Sequence, residues 1–217
     1  MNGATVHPIS TWQRWLAWPS PLRRLGVLAI LSTVGTLAYF RTVNTFITPP
    51  PQILHPVNVW IAEYSRHSSL LFPTADPNTM QEFAFGDFPY FALNKTAWYD
   101  GPRALLWSTR SALGRRTLHV NATDLSAAAR QIGCDQVIPV PVEQERADAL
   151  RRLINARWQT HADTFVHNND GNLDLVLDDG PYSLGENCNQ VTARWLADLG
   201  CDVRGPGMLC DFVVVKE

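Results

Sequence analysis

Three short strand-forming segments follow one another in the middle of the chain. They are Val57–Tyr64, His67–Phe72 and Glu82–Phe85, and polar or turn-forming residues separate them. Three consecutive short strands favour an antiparallel meander.

Helices and strands are segregated along the rest of the chain, which predicts the α+β class. The longest predicted helix is Glu143–Trp158, in which apolar residues recur at helical spacing. The aromatic-rich segment Pro89–Pro102 is predicted to be a covering loop or a short helix. The other predicted elements are a short helix from Asp124 to Arg130 and strands at Thr117–Val120, Gln136–Val142, Leu173–Leu177 and Phe212–Val215.

The segment that ends at Gly200 is predicted to be an amphipathic helix. Val191, Trp195 and Leu199 recur at helical spacing, so that one face is apolar and packs on a core. Asn187 can cap the helix at its start, and Gly200 is a natural stop.

Cys188 follows the predicted cap and falls in the first helical turn. Unpaired N–H groups and the helix dipole favour a negative charge there, so a thiol loses its proton more easily. The thiolate is the form that attacks a carbonyl carbon. The alternative is a buried cysteine that fills space behind the apolar face, although Cys188 does not share the spacing of that face. The residues alone leave both interpretations open.

A catalytic cysteine needs a base within hydrogen-bond reach. Of the six histidines, His67 lies where one predicted strand ends and the next begins, at an edge where side chains can line a cleft. His119 fits a half-buried strand position, whereas His161 and His167 lie in a polar loop. The remaining two, His7 and His55, precede the predicted folded domain.

This order of residues resembles that of the circularly permuted papain-like thiol enzymes. That group includes the lecithin:retinol acyltransferase relatives and several bacterial envelope proteins. The matching pieces are His67–Leu71 and Asn187–Asn189, with Glu82–Asp87 where a third, polar member is expected. The resemblance implies a papain-like α+β domain, in which helices pack on an antiparallel sheet.

The resemblance also implies a role for each residue. Cys188 is the expected nucleophile and His67 the general base, while Asp87, or alternatively Glu82, orients the imidazole. Asn187 is expected to bind substrate. The implied reaction is acyl transfer through a thioester, on an amide or ester bond of a cell-wall peptide or a lipid, and no cofactor is expected. The alternative is a non-catalytic, membrane-anchored envelope protein that uses the same fold for binding.

The N-terminal region predicts a membrane anchor. Residues 1–24 carry Arg14, Arg23 and Arg24 and no acidic residue, and residues 25–40 are uncharged and mostly apolar. This run is shorter than the ~20 residues that span a bilayer, but flanking arginines can snorkel and tryptophans suit the headgroup layer. An uncleaved anchor in the lipid bilayer is favoured over a buried helix or a signal peptide. The basic flank predicts a cytoplasmic N-terminus and a periplasmic main domain at the inner membrane.

The predicted organisation is a tail at 1–24, a transmembrane anchor at 25–41, a proline-rich linker at 42–56 and a folded domain at 57–217. The net charge of −2 and the lack of a basic run exclude a typical polyanion-binding protein, so no nucleic-acid partner is expected.

Two further groups of residues allow alternatives. The polar loop with His161 and His167 also contains aspartates that are competent metal ligands, but a solvated loop is favoured and no metal site is predicted. Cys201 and Cys210 flank a Gly-Pro-Gly turn and could form a disulfide in an oxidising compartment.

Overall fold

The computed structural model describes residues 20–42, 44–121, 123–208 and 210–215. The chain divides into two units, Met1–Thr42 and Val43–Glu217. Its strands are β1 Thr45–Thr48, β2 Pro56–Tyr64, β3 His67–Pro73, β4 Met80–Asp87, β5 Thr109–Leu118, β6 Gln136–Glu143, β7 Val166–Asn168, β8 Leu173–Tyr182, β9 Asp202–Arg204 and β10 Phe212–Val214. Its α-helices are α1 Ser20–Thr42, α2 Asp100–Leu106, α3 Leu125–Gln131, α4 Gln144–Thr160 and α5 Cys188–Asp198.

Helix α1 of the first unit includes the whole of the predicted anchor, residues 25–41. Among the residues that the structure describes, however, no helix is long and apolar enough to cross a membrane. The transmembrane assignment is therefore without structural support. Residues 1–19 of the predicted tail lie outside the described residues.

The second unit is built on a seven-stranded antiparallel sheet, in the order β6-β2-β3-β4-β5-β8-β7. The consecutive strands β2, β3, β4 and β5 are antiparallel neighbours, which confirms the predicted meander. Helices α4 and α5 contribute to the main core on one face of this sheet, and α3 packs on the other face. The class is therefore α+β, a large antiparallel sheet with helices packed on it, as predicted.

Strand β3 shows how the sheet separates the two cores. Leu70 and Phe72 contribute to the core that contains α4 and α5, whereas Leu71 belongs to the cluster around α3. This follows from the period of two along a strand, which sends alternate side chains to opposite faces. The three residues are almost completely buried, which makes β3 a central strand with two covered faces.

The predicted linker contains a strand that the sequence analysis missed. Strand β1 pairs in parallel with β10 and antiparallel with β9, in a separate three-stranded sheet. Ile47 of β1 is fully buried in the main core, so regular structure begins before the predicted domain boundary at Val57. A strand of four residues is too short to show a clear local pattern. Its pairing with β10 also depends on residues at the other end of the chain.

Strand β5 also differs from the prediction, which placed a strand only at Thr117–Val120. The strand begins at Thr109 and contains Gly114, where an added Cβ would lie 3.5 Å from the Leu175 side chain of β8. Its small and charged residues lack the β-branched pattern that marks a strand in a sequence. The covering segment forms a π-turn at Phe88–Ala92 and helix α2, in agreement with the predicted loop or short helix.

Candidate active site

Helix α5 begins at Cys188, and Asn187 caps it as predicted. The Asn187 side-chain oxygen accepts hydrogen bonds from the backbone N–H groups of Asn189 at 3.0 Å and Gln190 at 3.1 Å. The Gln190 carboxamide oxygen in turn accepts one from the Asn187 N–H at 3.2 Å, which completes a capping box. The Asn187 side-chain oxygen is therefore occupied as the helix cap. The expected contact of Asn187 with substrate stays a prediction. The Asn187 side chain does not accept from the N–H of Cys188, and a hydrogen bond from that N–H lowers the pKa of the Tyr182 hydroxyl, against the larger effects that raise it.

A buried asparagine joins the start of α5 to the start of β3. The Asn189 side-chain oxygen accepts a 2.8 Å hydrogen bond from the Ser68 hydroxyl, and its amide donates to the carbonyls of Arg66 at 3.3 Å and Met208 at 3.2 Å. The Thr192 hydroxyl, one turn further along the helix, donates to the Ser68 carbonyl at 3.3 Å. These bonds fix the register between the two elements and bring Cys188 beside His67.

The Cys188 thiol lies near enough to the His67 imidazole for each group to shift the pKa of the other. Burial raises the pKa of the Cys188 thiol, but the charge and hydrogen bond of His67 outweigh this effect and bring that pKa below its ordinary value. Burial lowers the pKa of His67, and the charge and hydrogen bond of Cys188 raise it above its ordinary value. These opposite shifts favour a thiolate–imidazolium pair, which is the reactive form of a catalytic cysteine.

Hydrogen bonds from two further groups lower the pKa of the Cys188 thiol. One group is the Ser68 backbone N–H, and the other is the Tyr182 hydroxyl, whose oxygen lies 4.0 Å from Sγ. The Tyr182 ring stacks on Phe85 with 6.0 Å between the centroids. Burial, followed by the charge of Cys188, raises the pKa of Tyr182, so its hydroxyl keeps its proton and remains a donor. The sequence analysis missed Tyr182, although it lies on the strand that leads into the cysteine helix.

Asp87, the predicted orienting residue, bonds elsewhere. Its carboxylate accepts a 2.7 Å hydrogen bond from the Tyr90 backbone N–H and another from the Thr109 hydroxyl, and it caps the π-turn Phe88–Ala92. Within the described part of the chain, Asp87 makes no hydrogen bond to His67. The structure therefore brings Cys188 and His67 together and gives Asp87 a different set of partners.

Glu82, the alternative orienting residue, belongs to a buried polar network. Its carboxylate accepts hydrogen bonds from Arg116 Nε at 2.6 Å, from the Ser69 hydroxyl at 2.6 Å and from the Tyr64 hydroxyl at 2.8 Å. Arg116 also donates to the Tyr64 hydroxyl at 2.6 Å. Glu82 raises and Arg116 lowers the pKa of His67, after the larger effects of burial and of Cys188, so the ion pair acts on the base without bonding to it.

The four cysteines are free thiols, so the structure does not contain the hypothesised disulfide between Cys201 and Cys210. Burial raises the pKa of Cys201 to about 11 and that of Cys134 to about 11. Cys210 donates from Sγ to the His67 carbonyl at 3.1 Å, and burial raises the pKa of its thiol as well. Cys188 alone among them has a pKa below the ordinary range.

Access to the thiol is narrow, since Cys188 is only 6% exposed. Two cavities lie away from it. One of about 510 Å³ is lined by residues that include Pro49, Pro139 and Val214, and one of about 320 Å³ by residues that include His55 and Glu143. Neither cavity is lined by Cys188 or His67. We nevertheless place the candidate site at the thiol, because the charges that activate a nucleophile are found there.

The polar loop shows no sign of the alternative metal site. His161 pairs with Asp179 at 3.2 Å, whereas His167 pairs with Asp174 at 2.8 Å. No group of three or more potential ligands could hold a metal ion in the part of the chain that the structure describes.

Comparison with known proteins gives no matching family model, no similar curated protein and no similar solved structure. The resemblance to the permuted papain-like enzymes and the catalytic roles of Cys188 and His67 therefore stay predictions.

Proposed function

We propose that this protein is a cysteine-dependent hydrolase or acyltransferase that cleaves an amide or ester bond through a thioester. The observation that carries the proposal is the pairing of Cys188 with His67, in which the pKa of the thiol is lowered and that of the imidazole is raised. Buried structural thiols show the opposite behaviour, as the raised pKa of Cys201 illustrates.

The proposed reaction begins with attack of the Cys188 thiolate on the substrate carbonyl carbon. A carbon–sulfur bond forms, and the carbonyl oxygen becomes an oxyanion. The Cys188 N–H at the helix start is a suitable donor to this oxyanion, because the Asn187 cap is engaged with Asn189 and Gln190 instead.

The tetrahedral intermediate then collapses. The His67 imidazolium gives its proton to the leaving amine or alcohol, and a thioester remains on Cys188. Water, or an acceptor amine or alcohol, next attacks the thioester and loses a proton to the neutral His67. The acyl group is released, and the thiolate–imidazolium pair is restored. Cell-wall peptides and lipids are both substrate classes for this chemistry.

A second candidate function is a non-catalytic envelope protein that uses the same fold for binding. The 6% exposure of Cys188 favours this alternative, since a nucleophile must meet its substrate. The membrane location expected from residues 25–41 is a separate proposal that rests on their sequence alone, and the catalytic proposal does not depend on it.

The test is acyl-enzyme formation by the full chain with an activated ester of a short fatty acid and with an activated ester of an N-acetylated amino acid. We expect intact-protein mass spectrometry to detect an acyl group, and peptide mapping to place it on Cys188. A Cys188→Ser variant is the control for the acceptor atom, and His67→Gln for the base. A wild-type chain that gains no acyl group on Cys188 from either ester would favour the binding function.

A further inference from the structure

The Nε2 atom of His67 lacks a hydrogen-bond partner in the part of the chain that the structure describes. This atom is buried. In a catalytic triad a third polar side chain bonds the imidazole and fixes its orientation. Here the carboxylates of Asp87 and Glu82 are engaged with other partners. Some other contact must therefore hold the ring.

Aromatic packing supplies that contact. The Phe91 ring lies with its centroid 5.0 Å from that of His67 and is tilted by 44° to it. The Tyr64 ring is the second neighbour, at 6.1 Å and 43°. Rings at such separations restrict the rotation of the imidazole through close packing.

Gly86 provides the space that the Phe91 ring occupies. A Cβ added at Gly86 would lie 2.5 Å from Cδ1 and 2.9 Å from Cγ of Phe91. Both distances are shorter than carbon atoms tolerate, and Cγ cannot move without the whole ring. Glycine is thus required by the close approach of the ring to the backbone of β4.

The backbone of Phe91 is held at both ends of the π-turn. Asp87 caps the turn through the Tyr90 N–H. The Asn168 side-chain amide donates to the Phe91 carbonyl at 2.6 Å and to the Asn94 side-chain oxygen at 2.9 Å. Asn168 is itself buried, which makes this a fixed support.

We infer that Phe91 is the positioning residue of the His67 base and takes the place of the polar third member of a triad. Asp87 acts through it, as the cap of the turn that carries the ring. This inference rests on the proposed function, because it assigns a way of orienting the base of that same site. It also explains why a carboxylate in the expected part of the sequence does not bond the imidazole.

The first test compares Phe91→Leu with Tyr90→Leu, a matched change one residue earlier on the same turn. The readout is the rate of Cys188 alkylation between about pH 5 and pH 9, resolved by peptide mass spectrometry. We expect Phe91→Leu to slow alkylation near pH 6 by about tenfold, because a misplaced base costs rate steeply. Tyr90→Leu and Phe91→Tyr, which keeps a ring at position 91, should remain within about twofold of the wild type.

The second test separates the cap from the charge at position 87. Asp87→Asn removes the charge but keeps an oxygen that accepts from the Tyr90 N–H, whereas Asp87→Ala removes both. We expect Asp87→Asn to keep the wild-type alkylation profile and Asp87→Ala to reproduce the profile of Phe91→Leu. Equal losses in the two variants would assign a direct role to the carboxylate and overturn the inference.

The wild-type profile keeps the two proposals distinguishable. An inactive wild-type thiol would overturn the proposed function, and the inference with it. An activated wild-type thiol whose profile is unchanged in Phe91→Leu would overturn the inference alone. Thermal melting of each variant identifies any variant that does not fold. If Phe91→Leu does not fold, the comparison of Asp87→Asn with Asp87→Ala decides whether the inference holds.

Discussion

The hydroxyl of Ser68 donates a 2.8 Å hydrogen bond to the side-chain oxygen of Asn189, across a separation of 121 residues in the chain. Ser68 directly follows His67, and Asn189 directly follows Cys188. A buried bond between the two neighbours thus sets the position of the two reactive side chains. Neither Ser68 nor Asn189 carries the proposed chemistry, yet the alignment of the pair depends on them.

Loss of this Ser68–Asn189 clamp, as we call the hydrogen bond between the two side chains, should lower the free energy of unfolding. In Asn189→Ala the buried Ser68 hydroxyl loses its partner, and the carbonyls of Arg66 and Met208 each lose a partly buried donor. We expect a loss of about 2–3 kcal/mol in the free energy of unfolding, measured by urea denaturation. The control is Arg194→Ala, a change in the same helix that removes the ion pair between Arg194 and Glu186. It should lower the free energy of unfolding by at most about 1 kcal/mol. Equal losses in the two variants would contradict the clamp.

The Asn187 cap makes a separate prediction. Asn187→Ala removes the acceptor for two N–H groups and should destabilise the protein by about 1 kcal/mol. Asn187→Ser keeps a capping oxygen, so its stability should be close to that of the wild type. Thermal melts and urea titrations of the two variants check this. An equal loss in Asn187→Ser would show that the side chain has a role other than capping.

Tyr182→Phe tests the hydroxyl near the sulfur. The change removes a donor to Sγ and keeps the ring that stacks on Phe85, so the pKa of the Cys188 thiol should rise while the fold is kept. We expect alkylation of Cys188 near pH 6 to slow by roughly threefold, consistent with a hydrogen bond of about 0.5–1 kcal/mol. An unchanged alkylation profile would remove Tyr182 from the site.

The buried ion pair between Glu82 and Arg116 gives a test by double-mutant cycle. The side chains are 1% and 7% exposed, so loss of one partner leaves a charge that water cannot solvate. We expect Glu82→Leu and Arg116→Met each to cost about 3–5 kcal/mol in unfolding free energy. The double variant should cost clearly less than the sum of the two, because it leaves no unpaired charge. Additive losses would mean that the two charges do not stabilise each other.

Much of the fold could be predicted from local sequence patterns. The meander and the helices α4 and α5 match their predicted positions, because period-two and period-3.6 patterns are local signals. Strand β1 could not be found in this way, since its partners are distant in the chain. Cys188 and His67 lie at the element ends predicted for them, since Cys188 opens α5 and His67 opens β3.

The surroundings of the pair could be predicted less well. A carboxylate after a glycine has the same sequence pattern whether it faces an imidazole or caps a turn, and Asp87 caps a turn. Tyr182, Phe91 and Asn189 act through packing and long-range hydrogen bonds, which leave no periodic pattern in a single sequence.

The most direct test of an activated Cys188–His67 pair is the pH dependence of Cys188 alkylation in the full wild-type chain and in His67→Gln. The wild-type rate should rise with a midpoint well below the ordinary thiol pKa of ~8.5, because the imidazolium stabilises the thiolate. In His67→Gln the opposing effect of burial remains, so the midpoint should move to or above ~8.5. Cys201, whose pKa burial raises to about 11, is an internal control in the same digest. Midpoints that coincide in the two proteins near ~8.5 would contradict the activated pair.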